Sequence, residues 1–338
     1  VAGAVTARPV VALAMGDPAL PDALFSDRLR TRLAATADVD LAAVVTDFGR
    51  SPVDLARVEV LLTGWGCPRI DAAALDRLPV LRLVAHAAGT VKGHVDPVCW
   101  ERGIAVTTAA AANAVPVAEF TLAQVLLANK GVTAATHAFR RDRVRPLRPD
   151  QRVVGNYDRT VGVIGASTIG RLVLDALRGY DLDLVLADPT VTAEQATGWG
   201  ATLLELDELM AVSDVVTLHA PVLPSTTRMI GATQLARMRD GATFLNTARG
   251  VLVDHDALRA ELVSGRIHAV LDVTDPEPLE PDDVLWDLPN VVLTPHVAGS
   301  QGTELHRMAA LAVEEVERLA TGRPPRHPVT RADLDRMA

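Results

Sequence analysis

Short apolar runs of strand length recur along the chain, separated by segments whose apolar residues are spaced as on a helix. In the first third, Pro9–Met15, Leu41–Thr46, Val58–Thr63, Leu81–His86 and Ile104–Thr107 read as strands, with helices over Ala23–Ala35 and Ile70–Leu78. Val117–Asn129 carries the most regular helical pattern of the first half, and Pro116 just before it suits a helix start. A second series begins at Thr160, with strands over Thr160–Ile164, Leu182–Ala187, Val215–Leu218, Thr243–Asn246, His268–Asp272 and Val291–Thr294. Helical segments lie between most of them, and a long helix over Glu304–Ala320 and a loop over Thr321–Pro328 follow. Alternation of strands with crossover helices predicts parallel sheets, and the six strands of the second series predict a Rossmann sheet. Between the series lies the basic stretch His137–Tyr157, with Arg140, Arg141, Arg143, Arg145, Arg148 and Arg152. It is expected as an irregular, solvated linker between domains; attraction of anionic ligands is the lesser alternative.

Composition narrows the class. The chain has 338 residues, 49% hydrophobic and 22% charged, which suits a globular protein of two domains. A net charge of −9 argues against a nucleic-acid surface. No apolar run approaches the roughly 20 residues of a membrane span, so none is expected. The first residues lack the basic start and apolar core of a secretory signal, which makes the cytoplasm the default compartment. Cys67 and Cys99 are too few for a disulfide framework and have no metal-ligand spacing, so two partly buried free thiols and no metal site are expected.

Chemistry enters at Arg159–Leu172, R-T-V-G-V-I-G-A-S-T-I-G-R-L. A buried strand, a turn from Gly165 to Gly170 and a helix from Arg171 form the context in which a dinucleotide pyrophosphate sits on a helix N-terminus. The middle glycine of the G-x-G-x-x-G pattern is replaced by Ser167, which weakens the motif, and an ordinary strand-to-helix turn is the competing reading. Asp188 ends the next strand, 23 positions (188 − 165) after Gly165. A carboxylate there can accept from a ribose 2′-hydroxyl and repels a 2′-phosphate; no arginine follows in Pro189–Thr192, which favours NAD over NADP.

Three further strand ends carry reactive side chains: Arg249 in F-L-N-T-A-R-G, Glu277 in L-D-V-T-D-P-E-P, and His296 in L-T-P-H-V-A-G. Ligands of open α/β sheets collect outside the carboxyl ends of strands, so these three arrive at one rim. Each alone has a bland reading as a surface or structural residue. Together they suit reduction of a ketone by a nicotinamide. His protonates the developing alkoxide, a carboxylate stabilises the imidazolium, and an arginine holds a carboxylate beside the carbonyl.

In this order, N-T-A-R-G, D-V-x-x-x-E-P and T-P-H-x-A-G, with S-D-V-V-T-L-H-A-P at Ser213–Pro221 and V-A-E at Val117–Glu119, resemble the D-isomer-specific 2-hydroxyacid dehydrogenases. The similarity runs over roughly Leu81–Ser300 and is weak before that. The resemblance implies an α/β protein of two Rossmann-like domains, with the NAD domain (residues 117–301) inserted into a flavodoxin-like substrate domain (residues 1–116, completed by 302–338). A cleft between the two, closing on binding, would hold the active site. It further implies Arg249 as the substrate-carboxylate and carbonyl ligand, His296 as general acid/base, and Glu277 as the residue that tunes it. Gly165, Ser167, Thr168, Ile169 and Thr226 would lie near the pyrophosphate, Asp188 at the ribose, and His219, Ala220 and Pro221 in a cofactor-contacting loop. Thr247 and Ala248 would lie near the nicotinamide, with Asp272 on its carboxamide. The loop from His86 to Asp96 resembles the family loop whose backbone N–H groups hold the substrate carboxylate, which assigns Ala88, Gly89 and Thr90 to substrate. Relatives commonly dimerise through the NAD domain, and a homodimer is expected; a nucleic-acid or membrane partner is not.

Two places depart from the family pattern. Ser167 puts a hydroxymethyl group where many relatives have hydrogen, with modestly weaker NAD binding as the expected effect. Lys92, one of only two lysines in the chain, lies in the carboxylate loop; contact with an anionic substrate competes there with simple solvent exposure. Trp65 and His86 are candidates to line a substrate side-chain pocket, against packing for either. The function expected is NAD-dependent interconversion of a D-2-hydroxy acid and a 2-oxo acid. The alternatives are a non-catalytic NADH-sensing module of the corepressor kind, which keeps the same Arg, Glu and His, or a relative acting on another small anion such as formate or phosphite.

Overall fold

The computed structural model describes residues 8–144 and 154–336. Its contacts divide the chain into two units: one runs to Asn113 and resumes at Ser300, the other is Ala114–Gly299.

The first unit opens with β1 (Val10–Ala14), α1 (Leu20–Leu24), α2 (Asp27–Thr36), β2 (Asp38–Val45) and β3 (Val60–Thr63). It continues with α3 (Ala72–Asp76), β4 (Leu83–His86), α4 (Val98–Glu101) and β5 (Ala105–Thr108). The helix expected over Ala23–Ala35 is two helices. The chain turns at the buried pair Leu24–Phe25, and Ser26 takes an extended conformation as the N-cap of α2. The five strands pair in parallel in the order β2-β1-β3-β4-β5, the flavodoxin-like arrangement. Strands buried on both faces read as apolar runs, as residues 60–62 and 83–85 do, each ended by a buried polar residue, Thr63 and His86.

The second unit begins inside α5 (Ala110–Asn129), followed by α6 (Val132–Asp142). Pro116 does not start this helix; it lies inside it. The alanine-rich turn before it has high helix propensity, and it leaves a proline with no amide proton in the second turn. The basic stretch expected to be irregular from His137 is helical as far as Asp142. Its Arg145, Arg148 and Arg152 fall outside the described residues. By length and composition alone, α5 also meets the test for a membrane-crossing helix that no run was expected to meet. In the fold one face of it is packed, with Ala118 and Val125 against Val161, Val163 and Leu174, while Leu127 is exposed.

From there the chain forms β6 (Tyr157–Ile164), α7 (Thr168–Leu177), β7 (Asp181–Ala187), α8 (Ala193–Gly198) and β8 (Thr202–Leu203). Then come α9 (Leu206–Val212), β9 (Val215–Leu218), α10 (Ala232–Arg237), β10 (Thr243–Asn246), α11 (His255–Val263), β11 (His268–Leu271) and β12 (Val291–Leu293). Seven strands, not six, form one parallel sheet in the order β12-β11-β10-β9-β6-β7-β8. The unexpected one, β8, has only two residues at the sheet edge, too few to form an apolar run. Counted from β6, the order is the doubly wound Rossmann arrangement with one added strand, and its switch point lies between β6 and β9. Alternate residues feed the two faces. Phe244 packs with Leu218 and Leu271, whereas Leu245 packs with Val163 and Val270.

The chain returns to the first unit as α12 (Leu305–Ala320), which lays Ala309, Ala312, Val313 and Val316 on Leu13, Leu62 and Leu83 of that sheet. Beyond it, Pro328 bridges Thr107 antiparallel, so the tail covers the exposed edge of β5. Glu315, buried on α12, anchors this tail by accepting from the amides of Arg326 and His327.

Candidate active site

Every strand of the second sheet runs the same way, so the residues following β6, β7, β9, β10, β11 and β12 share one rim. At the β6–α7 turn, Gly165 has φ +93°. A Cβ on it would come within 2.8 Å of Ala220 N and of the His219 carbonyl carbon. On Gly170 a Cβ would lie 2.0 Å from Gly165 O, so both glycines are required by contact, and Gly165 by its backbone conformation as well. Ser167 needs no such freedom. Its φ of −60° and ψ of 175° are those of an N-cap, and its Oγ accepts from Gly170 N at 3.3 Å. The first two amides of α7, on Thr168 and Ile169, precede the first helical hydrogen bond and remain available to an anion.

The same turn reaches the next strand. Ala166 N donates to Asp188 Oδ2 at 2.7 Å, and Asp188 Oδ1 accepts from the amide and hydroxyl of Thr190 at 2.8 and 2.7 Å. Burial pushes this carboxyl up, but these hydrogen bonds and the Arg171 charge outweigh it and hold the group below its ordinary range. After β9, His219 is fully buried with Nε2 2.9 Å from Thr217 Oγ1, and burial pushes its pKa down to about 3. Thr226 closes the following loop, its hydroxyl donating to Pro221 O at 2.6 Å.

After β10, Asn246 acts as a staple not singled out from sequence. Its Oδ1 accepts from Ala248 N at 2.9 Å and its Nδ2 donates to Arg249 O at 3.0 Å. Arg249 itself donates to Ala248 O at 2.6 Å, and Thr247 sits buried with its hydroxyl 3.3 Å from that of Thr121. Burial lowers the Arg249 pKa and the Glu277 carboxylate opposes that shift. Gly250 explains how these two segments meet: a Cβ there would fall 2.0 Å from Thr274 O, so the Arg249 turn lies directly on the backbone leading to Glu277.

Glu277 stands between Pro276 and Pro278, both preceded by cis peptide bonds, and its Oε1 is 2.7 Å from His296 Nδ1. Both side chains remain open to solvent, 40% and 48% exposed, so the free Nε2 edge of His296 is accessible. His296 has φ +54°, a left-handed conformation that a non-glycine residue adopts at some cost. Asp272 holds it there. Its Oδ1 accepts from the Thr294 hydroxyl and Val297 N at 2.6 and 2.9 Å, its Oδ2 from Ala298 N at 2.9 Å, and its carbonyl from His296 N at 3.0 Å. Thr294, like Asn246, went unnoticed in the sequence; the only signal was its place beside a named residue at a strand end.

In the first unit, the loop after β4 has its carbonyls tied inward. Ala88 O accepts from Ala109 N and the Thr108 hydroxyl, and Gly89 O from the same hydroxyl. The amides of Ala88, Gly89, Thr90 and Val91 meet no hydrogen-bond acceptor among the described residues, whereas Lys92 N donates to Thr90 Oγ1. Consecutive free amides form a concave donor set for an anion. Val91 is buried and plugs the loop into the core, while Lys92 is exposed. His86 does not line a surface pocket: it is 3% exposed, with Nδ1 2.8 Å from Thr63 Oγ1. Trp65 is exposed.

Comparison with known proteins accords with this geometry. Residues 122–298 match the family model for the D-isomer specific 2-hydroxyacid dehydrogenase NAD binding domain. A glyoxylate reductase of Korarchaeum cryptofilum is 33% identical over 259 residues, 76% of this chain and 78% of the relative. A D-3-phosphoglycerate dehydrogenase of Archaeoglobus fulgidus is 30% identical over 268 residues, 79% of this chain; the match spans about half of that longer protein, 50%. Among solved structures, the TT0316 protein of Thermus thermophilus superposes with a TM-score of 0.71 at 33% identity, covering 96% of this chain and 100% of that one. The glycine turn on a helix N-terminus, the Rossmann strand order and the sequence match converge, and the chain belongs to the D-isomer specific 2-hydroxyacid dehydrogenase family, with an NAD-binding domain in its second unit.

Proposed function

We propose that the chain interconverts a D-2-hydroxy acid and the corresponding 2-oxo acid. The observation that carries this is the His296–Glu277 pair at 2.7 Å, with the Arg249 turn packed on the same segment through Gly250. Glyoxylate reductase and D-3-phosphoglycerate dehydrogenase, the two relatives compared, both act on acids of this class by name.

In the reductive direction, the Arg249 guanidinium binds the substrate carboxylate and polarises the adjacent carbonyl. The free amides of Ala88, Gly89 and Thr90 are assigned to the same carboxylate, and Lys92 to a distal anionic group where the substrate has one. Bound NAD supplies or accepts the hydride at C2. His296 gives its Nε2 proton to the developing alkoxide, and Glu277 fixes the ring through Nδ1 and stabilises its protonated form. In oxidation His296 takes the hydroxyl proton back. For the cofactor, Gly165, Ser167, Thr168, Ile169 and Thr226 are assigned to the pyrophosphate, and Asp188 to the ribose, in favour of NAD over NADP. His219, Ala220 and Pro221 are assigned to the cofactor-contacting loop, of which His219 and Ala220 lie against Gly165. Thr247, Ala248 and Asp272 are assigned to the nicotinamide end; Asp272 Oδ2 has one lone pair left for an amide after bonding Ala298.

A second copy is assigned to the α5–α6 face of the NAD-binding unit. No residue of α6 is buried, and Leu127, Val132, Phe139, Val144 and Tyr157 are exposed. A cavity of about 380 Å³ opens beside them, lined in part by Leu127, Val132 and Val154.

The deciding experiment is NADH oxidation against a panel of 2-oxo acids: small, bulky, dicarboxylic and phosphorylated. Turnover of at least one, abolished in His296→Ala, is the expected result. NADH binding without turnover of any would instead favour an NADH-sensing module.

A further inference from the structure

In the loop at 88–91, whose amides have no acceptor, one peptide hangs on a single side chain. Ala88 O accepts from two donors, the Ala109 amide at 3.0 Å and the Thr108 hydroxyl at 2.9 Å. Gly89 O has one donor among the described residues, the same hydroxyl. Both peptide bonds are trans, so a carbonyl held inward turns the amide of the following residue outward. Thr108 thereby sets the Thr90 amide, and shares with Ala109 the setting of the Gly89 amide. Glycine gives this link little stiffness of its own. Gly89 has no positive φ, and a Cβ on it would meet nothing nearer than Asn113 Nδ2 at 4.0 Å. Neither strain nor crowding calls for glycine there; its missing side chain leaves room beside the loop.

Thr108 is itself fixed at both side chain and backbone. It ends β5, its Oγ1 accepts from Ala110 N at 3.3 Å, and its own amide donates to His327 O at 3.3 Å. His327 belongs to the C-terminal tail that runs antiparallel along the edge of β5. The tail is pinned from two sides. Buried Glu315 accepts from His327 N at 2.8 Å and from Arg326 N at 3.0 Å. Two residues on, Val329 N donates to Val106 O at 2.8 Å, and Val329 O accepts from the Trp100 indole at 2.8 Å. A hydroxyl with its backbone and its rotamer both held can fix the peptide it touches; a freely turning one cannot.

We propose that Thr108, braced by the C-terminal tail that Glu315 anchors, is a positioning residue whose hydroxyl orients the Gly89–Thr90 peptide so that the Thr90 amide faces the substrate carboxylate. This rests on the reading of the loop as the carboxylate subsite. Thr108 acts through one peptide plane, so its effect falls on acid binding and not on the hydride step.

The test compares Thr108→Val, which replaces the hydroxyl with a methyl group of similar size, with Thr108→Ser, which keeps the hydroxyl. With the full chain and NADH, the Val variant is expected to raise KM for the preferred 2-oxo acid about tenfold, the scale of one hydrogen bond to a charged group. Its kcat and its NADH Kd, read by nicotinamide fluorescence, are expected to stay within about twofold, and the Ser variant to restore most of the KM. A merely structural role would lower kcat through the active fraction and leave KM in place. That pattern, an unchanged KM in the Val variant, or equal KM values in the two variants overturns the proposal. Should the Val variant fail to fold, Thr108→Ala, which loses the same hydroxyl, carries the same test. Glu315→Ala, which releases the tail, is expected to raise KM in the same sense but less; an unchanged KM there overturns the bracing by the tail. Thr90→Pro, which deletes the amide in question, separates the two levels. If it leaves KM unchanged, the carboxylate reading of the loop fails; if it raises KM while the Thr108 variants do not, the positioning role alone fails.

Discussion

Three strand-end side chains, Arg249, Glu277 and His296, are proposed to carry the chemistry, and neighbours hold the loops that present them. His296 sits in a left-handed backbone conformation because Asp272 takes three donors from its loop and one from its amide. Arg249 is presented by the Asn246 staple. His296→Gln is expected to lower kcat by about two to four orders of magnitude, the usual range for loss of a general acid, with NADH affinity retained; equal turnover in the variant would remove His296 from the mechanism. Arg249→Lys keeps the charge but loses the planar fork, and should raise KM for the oxo acid more than it changes NADH binding, which steady-state kinetics and a fluorescence titration separate. Arg249, Glu277 and His296 stand out in the sequence because reactive side chains after strand ends share a rim in a parallel sheet. Asn246 and Thr294 were not legible there, because their work is done by hydrogen bonds to groups that only the folded loops bring near.

At the scale of elements, the β6–α7 turn separates two roles that glycine pattern matching merges. Gly165 and Gly170 are demanded by sub-3 Å approaches to backbone, whereas Ser167 adopts an ordinary N-cap geometry and caps α7. Gly165→Ala is therefore expected to destabilise the protein by about 1–3 kcal/mol and abolish tight NADH binding. Ser167→Gly should shift stability by only a few tenths of a kcal/mol, about the difference between a serine and a glycine cap. Thermal melts and NADH titrations on both variants check this; equal behaviour of the two would mean that the backbone contacts at Gly165 do not matter. Most strands were legible from their apolar runs, and the misses have local causes. The expected Ala23–Ala35 helix breaks where Leu24 and Phe25 must both be buried, Pro116 is carried within α5 by a strong alanine turn, and two-residue β8 leaves no pattern to read.

At the scale of the molecule, burial of neutral histidines links stability to pH. Burial holds His86 and His219 down to about 3 and His94 to about 4, against the ordinary 6.5. Their folded pKa values lie below the unfolded one, so between about pH 4.5 and 6.5 the unfolded chain binds more protons and stability rises with pH. The effect is absent above about pH 7.5 and reaches on the order of 1 kcal/mol per pH unit for each histidine below 6.5. Melting temperatures measured from pH 5 to 8 should climb and then level off; a flat profile across that range would contradict it. The α5–α6 face belongs to the same scale. Phe139→Asp is expected to shift the assembled protein toward monomer in light scattering, and an unchanged mass would exclude that face as the site of pairing.

The amino-acid sequence by itself determined the alternation of strands and helices, the parallel character of both sheets and the short list of candidate reactive residues. Those follow from periodicity and from where a residue falls relative to a strand end, both local properties. The tertiary structure alone decided that Gly250 seats the Arg249 turn on the backbone before Glu277, that Asp272 braces the His296 loop, and that Thr108 draws the Ala88 and Gly89 carbonyls inward. Each of these is a contact between segments far apart in the chain, set by packing and hydrogen-bond satisfaction, and no pattern within one segment encodes it.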